Sequence, residues 1–164
     1  MTERALRFLD DLRAAEAAGA EVLAAWIDAC AHDGLRGGLR TIRGRELAHA
    51  ELLAERLRDL GAPMVATVAD DVRQAAVARF GSREVSDEDK LALMLAHYPN
   101  DDDGRRAIAI VLPELAPDDA ETAELLKLIA DGEAATVAWL RAYLAGLSRR
   151  GDGARRPMGG RRAS

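Results

Sequence analysis

The chain has 164 residues and a mass of 17.6 kDa, with 49% hydrophobic but only 4% aromatic residues, which suits one helical domain and disfavours an all-β fold. Residues 148–164 hold six arginines against one aspartate, so the net charge of −5 hides a body, residues 1–147, with 17 basic and 27 acidic side chains, a net −10. Such an acidic body disfavours nucleic acid as a partner, the single cysteine (Cys30) excludes an intrachain disulfide or a multi-thiolate metal site, and no apolar run approaches the ~20 residues that span a bilayer.

Apolar residues recur at helical spacing from Glu3 to about Ala31, and Gly19 lies within that stripe. His32, Asp33 and Gly34 supply a turn with Asp33 as the expected N-cap. A second helix then runs from about Leu35 to Leu60, where Gly61, Ala62 and Pro63 stop it. Residues 61–85 read as a crossover carrying a short helix from about Ala69 to Phe80. Ser86 caps a further helical stretch, Lys90 to Tyr98, which Pro99 ends. Asp101, Asp102 and Asp103 precede an apolar piece from Arg105 to Leu112, so the third long position is filled by a broken helix. After Pro113 and Pro117, a last helix opens at Asp118 and Asp119 and continues to about Leu147. The Arg/Gly-rich tail from Ser148 to Ser164 is expected to be disordered. The amino-terminal Met1-Thr2-Glu3-Arg4 leads directly into the mixed-charge pattern, so neither a signal peptide nor an anchor is expected, and a reducing cytoplasm fits the lone thiol.

The polar interruptions of these stripes carry the chemistry. In the first helix the series 9, 12, 16, 19, 23, 26, 30 has one polar side chain, Glu16. In the second, the series from Leu35 to Leu60 is apolar except at Glu46 and His49, and in the last the series from Leu126 to Leu147 is broken by Glu133 and Thr136. A carboxylate taken out of water costs several kcal/mol unless a proton or a cation compensates, so three in one core call for a common cause. A metal supplies one. Residues i and i+3 point the same way from a helix, so Glu46 and His49 can serve one centre, with Glu16 and Glu133 closing on it from facing helices.

This set resembles the ferritin-like di-iron carboxylate proteins, particularly the helical part of rubrerythrin, over most of residues 3–147. The resemblance implies an all-α, antiparallel four-helix bundle with a long crossover and a broken third helix. It also implies Glu16 as the first-helix ligand, Glu46-Leu47-Ala48-His49 as the second-helix motif, Glu133 as the fourth-helix ligand, iron or manganese as the cation, and a homodimer. The departures are specific. Thr136 stands where the fourth helix of that pattern offers histidine, and no acid lies mid-stripe in the third position, where Glu114 sits at an end and His97 is the other donor. The expected function is therefore iron binding or oxidative-stress chemistry at an incomplete core site, or a non-catalytic helical scaffold that has lost its site and holds no metal. Trp26, Trp139, Tyr98 and Tyr143 are expected to pack at core edges, and Gly37 and Gly38 to permit close helix approach.

Overall fold

The computed structural model describes residues 1–100, 102–110, 112–115 and 119–154, without the side chains at positions 104, 114, 115 and 150–154. Regular structure among them is entirely helical: α1 (Glu3–Ala29), α2 (Asp33–Asp59), α3 (Asp70–Gly81), α4 (Asp87–Leu95), α5 (Asp103–Ala109), α6 (Leu112–Leu115) and α7 (Ala120–Ala154). No helix among the described residues is long and apolar enough to cross a membrane.

Two apolar clusters set the directions of the helices. One joins Leu23, Trp26 and Cys30 to Leu35, Leu39 and Ile42 of α2, Leu91 and Leu95 of α4, and Val137 and Leu140 of α7. The other joins Ala5 and Leu9 to Leu53 and Leu57 of α2, Ile108 of α5, and Leu126, Ile129 and Ala130 of α7. Reading each chain segment from cluster to cluster, α1 and α7 run one way, while α2 and the α4–α5 stretch run the other. Residues 60–86 must therefore return the chain along the molecule before α4 begins, and α3 packs against α1 on the way. Between the clusters, residues 10–22 of α1, 43–52 of α2 and 131–136 of α7 form a middle layer in which the sequence places its polar interruptions.

The connections are held by buried carboxylates. Asp10 on α1 accepts the backbone N–H groups of Val65 and Ala66, both at 2.6 Å, and the Arg13 guanidinium returns a bond to the Ala66 carbonyl at 2.9 Å. Burial would raise the Asp10 carboxyl, but these backbone bonds and Arg13 outweigh it and hold the group below its ordinary value. Asp87, in the first turn of α4, likewise accepts from Trp26 Nε1 at 2.8 Å, from the Ala31 backbone at 2.9 Å and from Cys30 Sγ at 3.5 Å. Trp26 is accordingly fully buried with its N–H satisfied, not at a core edge as expected. The Cys30 thiol is pushed up by burial and by the neighbouring Asp87 carboxylate, as befits a buried small hydrophobe.

Several boundaries differ from the sequence reading. His32 is the N-cap residue of α2 and makes no side-chain cap bond; Asp33 sits instead in the first turn, paired with Arg36 at 2.6 Å, where the helix dipole still favours its charge. α4 stops at Leu95, because Pro99 disfavours helical backbone at Tyr98, and the His97 and Tyr98 N–H groups close a turn on Met94 and Leu95. α7 opens at Ala120, close to where the sequence reading placed its start and just after Asp119, whose carboxylate accepts the Thr122 N–H at 3.0 Å and the Arg56 guanidinium at 2.8 Å, and is driven down to about 2 chiefly by that backbone bond. The helix continues past Leu147 to Ala154, so 148–154 are helical; the rest of the tail expected to be disordered, 155–164, lies outside the described residues. Gly38 does admit a close neighbour, the indole of Trp139, whereas nothing approaches Gly37.

Candidate metal centre

α1 delivers Glu16, α2 delivers Glu46 and His49 one turn apart, and α7 delivers Glu133, all into the middle layer. One donor atom each of Glu16, His49 and Glu133 lies within 4.8 Å of the other two. His49 Nδ1 and Glu16 Oε2 share a hydrogen bond at 3.2 Å, with the two side chains only 12% and 5% exposed. The far edge of the imidazole rests on α7 at Gly132, where a Cβ would come to 3.1 Å from the ring, so the missing side chain makes room for the ring between the helices. Nδ1 is thereby the ring nitrogen turned toward Glu16.

Glu46 stands beside this trio. Its carboxylate lies over Gly19 of α1, in space that a Cβ at that position would claim, and its Oε2 is buried without a hydrogen-bond partner. The glycine that interrupts the first helical stripe therefore accommodates an acid from the facing helix. Burial, then the charges of Glu133 and Glu16, push the Glu46 carboxyl up to about 8, with Arg45 pulling the other way. Burial and then Glu16 push Glu133 up to about 7, against the lowering influence of His49 and Arg45. Two carboxyls that hold protons near neutrality, one with an unpartnered oxygen, are what an acidic cluster shows when positive charge is short.

A cavity of about 290 Å³ adjoins the cluster, reaching Glu16, Glu46, Glu133 and Thr136 on one side and Met94 and Tyr98 on another. Among the described residues, the α4–α5 stretch thus contributes an apolar wall and a phenol to the site, and no carboxylate. Burial and the charges of Glu133, Glu46 and Glu16 raise the Tyr98 phenol, so this ring faces the same acids. His97, the third-position donor considered from sequence, is exposed and lines a separate pocket of about 530 Å³ with Arg79, between α3 and α4. The Glu114 side chain lies outside the described residues.

The donors fit a cation. Carboxylate oxygens and one imidazole suit iron, manganese or zinc, they converge from three helices, and the orphaned Glu46 oxygen is a polar atom that a cation or a proton would satisfy. Comparison of the chain with protein-family models, with curated proteins and with solved structures returns no match.

Three contributors escaped the sequence reading. Tyr98 sits beyond α4 in a turn, where helical periodicity says nothing about direction. Gly132 was not singled out, although its neighbour Glu133 was. Arg45 lies next to Glu46 and carried a readable signal, a basic residue one turn before His49. Its guanidinium crosses to α7 and donates from Nη2 to Thr136 Oγ1 at 2.5 Å.

Proposed function

We propose that the chain is a ferritin-like four-helix bundle, with α1, α2, the broken α4–α5 stretch and α7 as its positions, that binds a divalent cation in its core. Glu16, His49 and Glu133 would hold the ion, with Glu46 beside them, and iron or manganese is the cation that the resemblance favours. The observation that carries this reading is the convergence of donor atoms from three helices to within 4.8 Å, in a buried layer that also leaves a Glu46 oxygen without a partner. A redox-active cation held there would supply electron exchange with peroxide or dioxygen, the chemistry of an oxidative-stress protein. The chain's own part is to hold Glu16 and His49 side by side, so that an ion would replace the hydrogen bond between them, to back the site with the apolar wall of Met94, and to limit water through the flanking clusters. We further propose a homodimer in a reducing cytoplasm.

Elemental analysis of protein expressed with added iron or manganese, without a chelator or histidine tag, tests the central point. Stoichiometric metal that is lost in His49→Ala supports it; none in the natural chain, together with a melting temperature that Glu46→Ala leaves unchanged or raises, refutes it. A second reading, a scaffold that has lost the site, is favoured by two bonds that satisfy cluster groups from within the chain: His49 to Glu16 and Arg45 to Thr136. Metal-dependent peroxide turnover abolished by His49→Ala would exclude that alternative.

A further inference from the structure

The site contains a cation of its own. Arg45 precedes Glu46 and lies one turn before His49 on α2, and its Nη2 donates to Thr136 Oγ1 on α7. Thr136 is buried, stands one turn beyond Glu133, and borders the same cavity as Glu16, Glu46 and Glu133. The guanidinium thus stands beside Glu46 in the chain and is joined to the helix that carries Glu133. Thr136 is also where a Glu-x-x-His pair on α7 would put its histidine, the arrangement with which bundles of two such helices build two-cation centres. Arginine cannot take a ligand's place there, because it has only donors and never loses its charge.

Charge counting gives the consequence. Glu16, Glu46 and Glu133 bring three negative charges when ionised. One divalent cation and Arg45 balance them, whereas two divalent cations with Arg45 would leave two positive charges in a buried layer, a large cost in a medium of low polarisability. Resting on the metal-binding reading above, we propose that the centre is built for a single divalent cation, and that Arg45, anchored by Thr136, supplies the positive charge a second cation would otherwise bring. Thr136 is then the anchor that holds this charge in place as well as a gap in a ligand pattern. Its hydroxyl accepts a hydrogen bond from the guanidinium, which a histidine of fixed orientation serving a metal could not do.

Metal titration of the full chain separates the possibilities. Stripped protein is titrated anaerobically with Mn(II) at pH 8, following uptake by elemental analysis after desalting and the bound ion by electron paramagnetic resonance. The expected result is one Mn(II) per chain, with the hyperfine-split signal of an isolated ion and no exchange-coupled signal. The double variant Arg45→Met/Thr136→His is expected to take up two, with the coupled signal of a pair, while Thr136→His alone stays at one because the guanidinium remains. Arg45→Met alone, which keeps every carboxylate, is expected to tighten the first Mn(II) about tenfold by removing a like charge, and Arg45→Lys to leave it within about twofold. Two ions in the natural chain would overturn the single-cation assignment while leaving the metal reading intact. No ion in the natural chain would overturn the metal reading itself. One ion in the natural chain, with neither the double variant gaining a second nor Arg45→Met tightening the first, would overturn the role given to Arg45.

Discussion

Replacing Glu46 by glutamine probes the buried layer most directly. In the folded chain the Glu46 carboxyl is pushed up to about 8, whereas in the unfolded chain it sits at 4.5. A group whose folded value is raised contributes stability that is complete below the unfolded value and is lost as pH rises through the folded one. Metal-free protein should therefore weaken as pH climbs from 4.5 to 8. At 1.36 kcal/mol per pH unit for one proton, and with the carboxyl partly ionised at the upper end, the loss between pH 6 and pH 8 is about 2 kcal/mol. Glu133, pushed up to about 7, adds in the same direction over a lower window. Because Glu133 raises Glu46 and Glu16 raises both, their contributions are not summed.

Glutamine keeps the shape of the side chain and removes its charge, so Glu46→Gln should lose distinctly less stability over this interval than the natural chain and should be the more stable of the two at pH 8. Urea unfolding followed by circular dichroism, in the presence of a chelator at pH 6, 7 and 8, measures the difference. Adding Mn(II) to the natural chain at pH 8 should recover stability, by about 2.7 kcal/mol at one hundred times the dissociation constant, and should do so less in the variant. A natural chain whose metal-free stability is flat from pH 6 to pH 8, or a variant that falls as steeply as its parent, would show that Glu46 is not the buried, uncompensated acid described.

Gly19→Ala should raise or preserve metal-free stability, since alanine gains up to ~1 kcal/mol in a helix and only the mobile end of Glu46 must move; the displaced carboxylate should weaken Mn(II) binding, read by calorimetry. Gly38→Ala gains the same helix propensity yet should destabilise by about 1–3 kcal/mol, because its Cβ overlaps the rigid Trp139 indole; a melting temperature equal to or above the parent's would refute that contact. Asp87→Ala should cost about 2–4 kcal/mol by stranding the Trp26 and Ala31 N–H groups, measured by urea unfolding at pH 7. For the same carboxylate in the natural chain, burial is outweighed by the bonds from Trp26, Ala31 and Cys30 and by Lys90, which hold it below its ordinary 3.8. Its contribution is thus present above that value and disappears on acidification, and the deficit of Asp87→Ala relative to the parent should shrink below pH 4.

What could be read from the sequence follows from which residues have a periodic neighbourhood. Glu16, Glu46, His49 and Glu133 stand in long stripes of leucine, isoleucine and alanine, so 3.6-residue periodicity alone turns them toward the core and toward each other. The short α3 was legible through its flanking turn residues. Asp87 was legible only as a helix-opening acid: its role as acceptor for Trp26, 61 residues away, is a tertiary fact that no local pattern encodes. Tyr98 was hidden for the related reason that Pro99 ends the helix before it, removing the regular geometry from which its direction could be inferred. Arg45 was hidden by convention more than by physics. A basic residue on an amphipathic helix is ordinarily assigned to solvent, and the bond to the buried Thr136 hydroxyl across the layer shows where this guanidinium points.

The position of the acidic layer explains how the chain tolerates it. Leu9, Leu53, Leu57 and Leu126 on one side, and Leu23, Trp26, Leu35, Leu39 and Leu140 on the other, are all at most 1% exposed. Each such side chain contributes roughly 1.5–3 kcal/mol on burial, so the flanking clusters outweigh a penalty of a few kcal/mol in the layer between them. Had the acids stood near the helix ends, fraying would have let water relieve them, and a cation would find no enclosed set of donors. Placed mid-helix between the two clusters, Glu16 is buried and Glu46 and Glu133 are half-buried. The energy that holds Glu16, Glu46 and Glu133 together against their mutual repulsion is supplied by leucines one to three turns away. Weakening either cluster, for example through Leu53→Ala, should therefore make folding depend on whatever neutralises the layer: protons below about pH 7, and a divalent cation above it.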